Sequence, residues 1–156
     1  MCVDSFDLSL GDLQGNKRQR LFTALDSLAQ TRTPIETLVE LPANVPYGNI
    51  SCESKDCTLC MSCVAVCPTR ALHTDGQSPS LKFVEQDCVQ CGLCTKACPE
   101  NALTMTPRMN WDAAARQSAT TIHEEKAAEC IRCHKPFAPQ SMIDICLLYT
   151  SPSPRD

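Results

Sequence analysis

Cys57, Cys60, Cys63 and Cys67, closed by Pro68, recur as Cys88, Cys91, Cys94 and Cys98, closed by Pro99. Both runs read C-x2-C-x2-C-x3-C-P, and the second follows the first at a constant offset of 31 residues. Iron in an iron–sulfur cluster takes soft, anionic thiolate ligands, and eight thiols at this spacing are the ligand set of two 4Fe–4S clusters. Three cysteines separated by two residues wrap a short loop around one face of a cluster. The fourth, three residues further on, points away. All eight positions are cysteine, so nothing in the pattern indicates a 3Fe–4S site. No Ser/His/Asp set, Gly-rich phosphate loop or flavin fingerprint accompanies them, which argues for electron transfer without substrate chemistry.

The residues between the thiols set their surroundings. Pro68 and Pro99 lack an N–H and hold the preceding residue extended, which fixes the direction of the fourth cysteine and helps to keep water away. Gly92 permits φ > 0 and a close approach of backbone N–H groups to sulfur. Its counterpart is Met61, so the two loops are expected to differ, and with them the N–H···S count and the potential. Val64, Ala65 and Val66 answer Thr95, Lys96 and Ala97, which makes the first loop the more apolar; Lys96 reads as an exposed lysine. Cys52 reads as a buried free thiol, and Cys2 carries no ligand role either. His73 and His123 have no partner in sequence and read as structural or solvent-facing.

Short elements must hold these loops. The two halves align as CTLCMSCVAVCPTRAL and CVQCGLCTKACPENAL. Each reads as a short strand, a cluster loop, one or two helical turns after the proline, and a second strand. The expected strands are Asn49–Cys52, Leu72–Thr74, Leu81–Val84 and Leu103–Thr106, and the self-similarity predicts an internal duplication with pseudo-twofold symmetry. Upstream, Asn16 is placed to cap a helix through KRQRLFTALDSLAQ, whose Leu21, Ala24, Leu25 and Leu28 form an apolar stripe for packing on the module's surface. Pro34, Pro42 and Pro46 then impose an extended connector. Downstream, NWDAAARQSATTIHEEKAAE reads as helical from Asp112, a weakly amphipathic linker.

The segment from about Ile50 to Thr106 resembles a bacterial-type two-cluster (2×4Fe–4S) ferredoxin: the spacing, both prolines and the duplication agree over roughly a third of the chain. The resemblance implies an α+β fold, a ferredoxin-like two-cluster domain with a pseudo-twofold repeat, and an electron-transfer role. In that two-cluster pattern the fourth cysteine ligates the other cluster. This assigns cluster one to Cys57, Cys60, Cys63 and Cys98, and cluster two to Cys88, Cys91, Cys94 and Cys67. The flanks resemble those of longer bacterial multi-cluster 4Fe–4S proteins.

Cys130-Ile131-Arg132-Cys133-His134 opens a second cysteine site. As C-x-x-C-H it matches a c-type haem attachment sequence, a reading disfavoured without an export signal. As half of a zinc knuckle it needs a further cysteine pair. The phrase CIRCHKPFAPQSMID is similar to a segment behind ferredoxin modules in the longer proteins, where such a pair follows. Cys130 and Cys133 are therefore a candidate Zn2+ half-site, with a vestigial or partner-completed site as the alternative. His134 stands where glycine is commoner and reads as a surface residue. The last eleven residues, CLLYTSPSPRD, back-translate without forcing to a transposase adaptor used in sequencing-library preparation, so 146–156 are expected to be non-native.

At 156 residues the chain allows one domain with appendages. Its 13 cysteines inflate a hydrophobic content of 43%, aromatics supply only 4%, and metal clusters must replace part of the core. The net charge is −4, and each oxidised cluster with its thiolates adds about two negative charges. That balance argues against nucleic-acid binding and suits docking on a basic patch of a redox partner. No secretory signal opens the chain and no apolar run approaches a membrane span. Clustered cysteines without export point to metal binding in a reducing, cytoplasmic compartment.

The expected organisation is an N-terminal helix and Pro-rich connector (1–48), a 2×4Fe–4S ferredoxin domain (49–106), a helical linker (107–129), an incomplete CxxC knuckle (130–145) and adaptor read-through (146–156). The C-terminal flank is thus a helix plus a cysteine knuckle. The expected function is that of an electron carrier, not an enzyme, passing single electrons between a donor and an acceptor. The alternatives are a ferredoxin-type subunit or fragment of a larger oxidoreductase complex with a structural zinc site, and a protein whose tetrathiolate sites hold zinc.

Overall fold

The computed structural model describes residues 15–30 and 36–149; Cys2, Pro34 and the 150–156 part of the expected read-through lie outside them. Helix α1 spans Lys17–Gln30. Asn16 Oδ1 accepts from the backbone N–H groups of Arg18 and Gln19 at 3.0 and 2.9 Å, and Gln19 Oε1 accepts from the Asn16 N–H at 2.9 Å. This reciprocal box satisfies N–H groups that have no partner inside the helix. The expected aliphatic stripe is not what α1 buries. Leu21 and Leu28 are 42% and 43% exposed, against 2% for Phe22. Phe22 meets Tyr47 edge-on at 5.8 Å, and the guanidinium groups of Arg18 and Arg116 lie 5.1 and 4.4 Å from its ring centre. An aromatic ring buries more area than a leucine and its face attracts cations, so Phe22 sets the rotation of the helix.

The chain continues through β1 (Leu38–Glu40), β2 (Gly48–Cys52), α2 (Ser62–Ala65), β3 (Leu72–His73), β4 (Ser80–Val84), α3 (Leu93–Ala97) and β5 (Leu103–Asn110). The connector of Pro42 and Pro46 is not extended throughout: β1 belongs to it, but a turn at Ala43 and Asn44, with Asn44 at φ 71°, loops the chain out between Glu40, opposite Arg108, and Gly48, opposite Pro107. Strand β2 pairs antiparallel with β5, Ile50 opposite Met105, while β3 pairs with β4, Leu72 opposite Phe83. The first strand of one half therefore pairs with the last strand of the other. Strand β5 changes partner after Pro107, leaving β2 for β1, whose Val39 faces Met109; proline has no N–H for either ladder. A Cβ at Gly48 would stand 2.5 Å from the Thr106 carbonyl oxygen and 2.7 Å from the Gln90 side chain, so only glycine allows this approach. Ile50, Leu59, Leu72, Leu81, Phe83 and Leu103 form the core together with Cys63, Cys88 and Cys94.

Two local expectations are corrected. The helical turns precede the prolines instead of following them. Proline disfavours helical geometry in the residue before it, and Cys98, ahead of Pro99, is extended (φ −78°, ψ 113°). The loops also do not differ in backbone as Met61 and Gly92 implied. Leu59 and Gln90, Met61 and Gly92, and Arg70 and Asn101 all have φ between 50° and 74°, and each pair is 31 residues apart. Met61 and Gly92 stand immediately before α2 and α3, where the loop requires a left-handed residue whatever its side chain. Met61 adopts it with strain and Gly92 without.

The expected helical linker over 107–129 is a further correction at larger scale. Only Ala113–Gln117 (α4) is helical, capped by Asp112, whose Oδ1 accepts from the Ala115 N–H at 3.0 Å. Ala119–Glu124 (β6) then pairs antiparallel with β4, giving the order β3-β4-β6. Thr120, Thr121 and Ile122 are β-branched, which suits a strand better than a helix, and β4 offers them an open edge. Strands β7 (Ala127–Glu129) and β8 (Pro136–Pro139) form a hairpin, followed by α5 (Gln140–Tyr149). No helix among the described residues is long and apolar enough to cross a membrane.

Arg116 ties the flanks together. It is 1% exposed, its Nη2 donates to both carboxylate oxygens of Asp26 at 2.8 Å, and its Nη1 donates to the Asn110 carbonyl at 2.7 Å. Arg116→Ala removes a buried, forked ion pair and its packing on Phe22 and leaves Asp26 without its partner. Arg116→Ala is expected to lose about 3–5 kcal/mol in anaerobic urea denaturation, and Arg116→Lys to recover little of it, because a point charge cannot fork. Gly92→Ala is expected to cost about 1–2 kcal/mol in the same assay through φ alone, since the new Cβ would come no nearer than 3.7 Å to Met105 Sδ.

Candidate metal centres

The eight motif cysteines line two cavities. The first is walled by Cys57, Cys60, Cys63 and Cys98 with Leu59, Met61, Leu81 and Leu103. The second is walled by Cys88, Cys91, Cys94 and Cys67 with Ile50, Leu72, Phe83 and Met105. Each motif thus gives three thiols to its own cavity and its fourth to the other. Helices α2 and α3 present Cys63 and Cys94 inward. The β2–β5 ladder is continued by the Glu53 N–H donating to the Ala102 carbonyl at 2.8 Å, which brings the start of the first loop beside Cys98. Among the described residues no three His, Cys, Asp or Glu side chains converge closely enough to hold a single metal ion. Four thiols around a wider, apolar space fit a polynuclear cluster, in which each thiolate takes its own iron.

Polar groups distinguish the thiols. Burial, reinforced by Cys57, pushes Cys63 up to about 12, and burial also raises Cys88 and Cys94. Burial acts in the same direction on Cys60 and Cys67 but is outweighed. Ser62 and Thr58 hydrogen-bond Cys60, and Leu72 and Thr69 hydrogen-bond Cys67, so both thiols lie below the usual range. Ser62 Oγ is 3.4 Å from Cys60 Sγ, Thr69 Oγ1 is 3.8 Å from Cys67 Sγ, and Gln90 Nε2 donates to Cys88 Sγ at 3.5 Å. Thiols that burial keeps protonated release protons when metal binds. Cys52 is half-buried beside Cys57, not fully buried as expected, and burial first, then Cys57, pushes it up to about 12.

Sequence reasoning missed Ser62, Thr69 and Gln90, although each lies two residues after the cysteine it touches. Nor did it give Arg18 of α1 a partner. Arg18 instead donates to the carbonyl oxygens of Gln86, Cys88 and Pro46, a contact across 70 residues in the case of Cys88 that no local pattern announces. His73 and His123 sit in the strands on either side of β4, opposite Lys82 and Leu81, and line neither cavity.

The second cysteine pair lies at the tip of the β7–β8 hairpin. The Cys130 N–H donates to the Lys135 carbonyl at 3.0 Å, and the His134 N–H to the Cys130 carbonyl at 2.8 Å. His134 has φ 56°, the conformation for which glycine is commoner at this position. Hydrogen bonds from the Arg132 and Cys133 N–H groups and from the Cys133 thiol hold Cys130 below the usual thiol range. The structure thus brings Cys130 and Cys133 together, with no third ligand beside them among the described residues.

A family model described as a 4Fe-4S dicluster domain matches residues 56–102. No curated protein matches the chain. The matched segment contains all eight motif cysteines and both cavities' loops. It is a ferredoxin-like 4Fe–4S module: an iron–sulfur, metal-binding domain for electron transfer.

Proposed function

We propose that this protein carries two 4Fe–4S clusters in a bacterial-type, pseudo-twofold ferredoxin domain over 49–106, and that it relays single electrons between redox partner proteins. The thiol distribution carries this reading: four around each cavity, three from one motif and one from the other. Cys57, Cys60, Cys63 and Cys98 hold cluster one, and Cys88, Cys91, Cys94 and Cys67 hold cluster two. The recurrence of left-handed residues at the 31-residue offset supports the duplication. A bound cluster supplies one reversible electron. The apolar walls exclude water and the hydrogen-bond donors around sulfur set the potential. Cys60 and Cys91 are exposed and mark where each site comes nearest to a docking partner. The net charge of −4 favours a basic partner surface. The chain is a carrier and performs no substrate chemistry.

After anaerobic reconstitution, Cys67→Ala is expected to lower the iron content from about eight to about four per chain, with the same EPR signal lost as in Cys91→Ala. Loss of the signal that Cys60→Ala removes would contradict the crossed ligand sets.

A second reading, that the chain is a subunit or fragment of a larger oxidoreductase complex with a structural zinc site, is favoured by the flanks. Strands β1 and β6 extend the module's two sheets, and the hairpin tip holds Cys130 and Cys133 together, with hydrogen bonds to Cys130 keeping it below the usual thiol range. Zinc takes four ligands in structural sites, so two come from beyond the described residues. Zinc bound by the wild type and lost in Cys133→Ser, with the iron content unchanged, is the expected result; zinc-free wild type contradicts it.

A further inference from the structure

The two cavities are alike in backbone but not in charge. Asp56 precedes Cys57 as Asp87 precedes Cys88, so that carboxylate is common to both. Glu100 lines the first cavity where its counterpart Thr69 lines the second. Lys55 and Glu100 are exposed, opposite in sign and screened by water. Lys96 lies on α3 between Cys94 and Cys98, which face different cavities, and Arg70 is exposed.

Arg18 is the unmatched charge. Its Nε donates to the Gln86 carbonyl and its Nη2 to the Cys88 carbonyl, both at 2.5 Å, and Nη2 also donates to the Pro46 carbonyl at 2.9 Å. The guanidinium lies 5.1 Å from the Phe22 ring centre and 5.5 Å from that of Tyr47. Arg108 and Arg116 are paired with Glu85 and Asp26 at 2.8 Å, whereas the hydrogen bonds of Arg18 go to neutral carbonyls. Burial lowers its pKa, with Asp87 and Cys88 among the groups that oppose the shift; an arginine so placed remains protonated. No carboxylate hydrogen-bonds it among the described residues.

We infer that Arg18 holds the cluster of Cys67, Cys88, Cys91 and Cys94 at a higher reduction potential than the cluster of Cys57, Cys60, Cys63 and Cys98, so that the first electron to enter resides there. The inference rests on the two-cluster reading proposed for the module. Reduction moves one electron from a one-electron donor, which is oxidised, into the site; no bond forms or breaks and no proton is required. The added negative charge is stabilised by a fixed cation in a half-buried, low-dielectric setting. Arg18 is a positioning and tuning residue, since it touches the Cys88 backbone and not the thiol.

EPR-monitored reductive titration of the wild type, Arg18→Gln and Arg18→Lys tests this. Arg18→Gln is expected to lower one of two couples by a tenfold change in the one-electron equilibrium constant, about 59 mV, leaving the other in place. Arg18→Lys keeps the charge and is expected to retain the wild-type value. Two unmoved couples, or two that fall equally, overturn the inference. NMR of half-reduced wild type needs no variant to fold. The shifted β-protons of Cys67, Cys88, Cys91 and Cys94 are expected to move first as reductant is added; if those of Cys57, Cys60, Cys63 and Cys98 move before them, the inference is overturned. Wild type holding fewer than about eight irons sinks the two-cluster reading instead.

Discussion

Cys67 and Cys98 each leave the loop of their own motif and stand among the three thiols of the other. Neither half of the duplicated segment is complete without this exchange, and the surrounding structure is arranged so that it happens. The antiparallel ladder of β2 on β5 joins the outer ends of the two halves, while β3 on β4 joins their inner ends. One turn of helix then separates the third thiol from the fourth, and an extended residue before proline ends that turn in the second motif. A small chain with few aromatics acquires a core in this way, because motif cysteines and aliphatic side chains share the same interior.

The parts of this arrangement that depend on near neighbours in the chain were legible in the sequence. The eight cysteines that line the two cavities, four strands to within a few residues and the Asn16 cap all follow from spacing or from residue type at a fixed offset. The misread parts are decided by partners distant in sequence. Nothing in KRQRLFTALDSLAQ says that Phe22 will be held between two arginines, one of them Arg116, so the aliphatic stripe looked like the packing face. The β-branched run at Thr120–Ile122 becomes a strand because β4 lies open beside it. An alanine-rich start, capped by Asp112, suggests a longer helix than the five residues it supplies. The side chain of Met61 gives no hint of a left-handed residue, whereas the loop imposes the conformation that its glycine counterpart adopts freely.

Three arginines fasten the flanks: Arg116 joins one flank to the other, and Arg18 and Arg108 join them to the module. Arg108 and Arg116 are neutralised by carboxylates and act as structural ties. Arg18 brings its charge to the backbone of a cysteine that lines the second cavity. The N-terminal helix is therefore more than an appendage packed on an apolar face: its capping box fixes the first turn, the first turn aims Arg18, and Phe22 and Tyr47 hold the guanidinium in place. A flank that folds for ordinary reasons of capping and ring packing becomes part of the electrostatic environment of the redox centre. Arg18 lies outside the repeat and brings its charge to the backbone beside one of the two cavities built on it.

Native mass spectrometry of the anaerobically reconstituted chain is the sharpest test of a doubly occupied thiol framework, because it counts bound clusters in one intact polypeptide and resolves zinc as a separate increment. The expected dominant species is heavier than the bare chain by two four-iron, four-sulfide units. A dominant species carrying one such unit, or zinc alone in the tetrathiolate cavities, would contradict it.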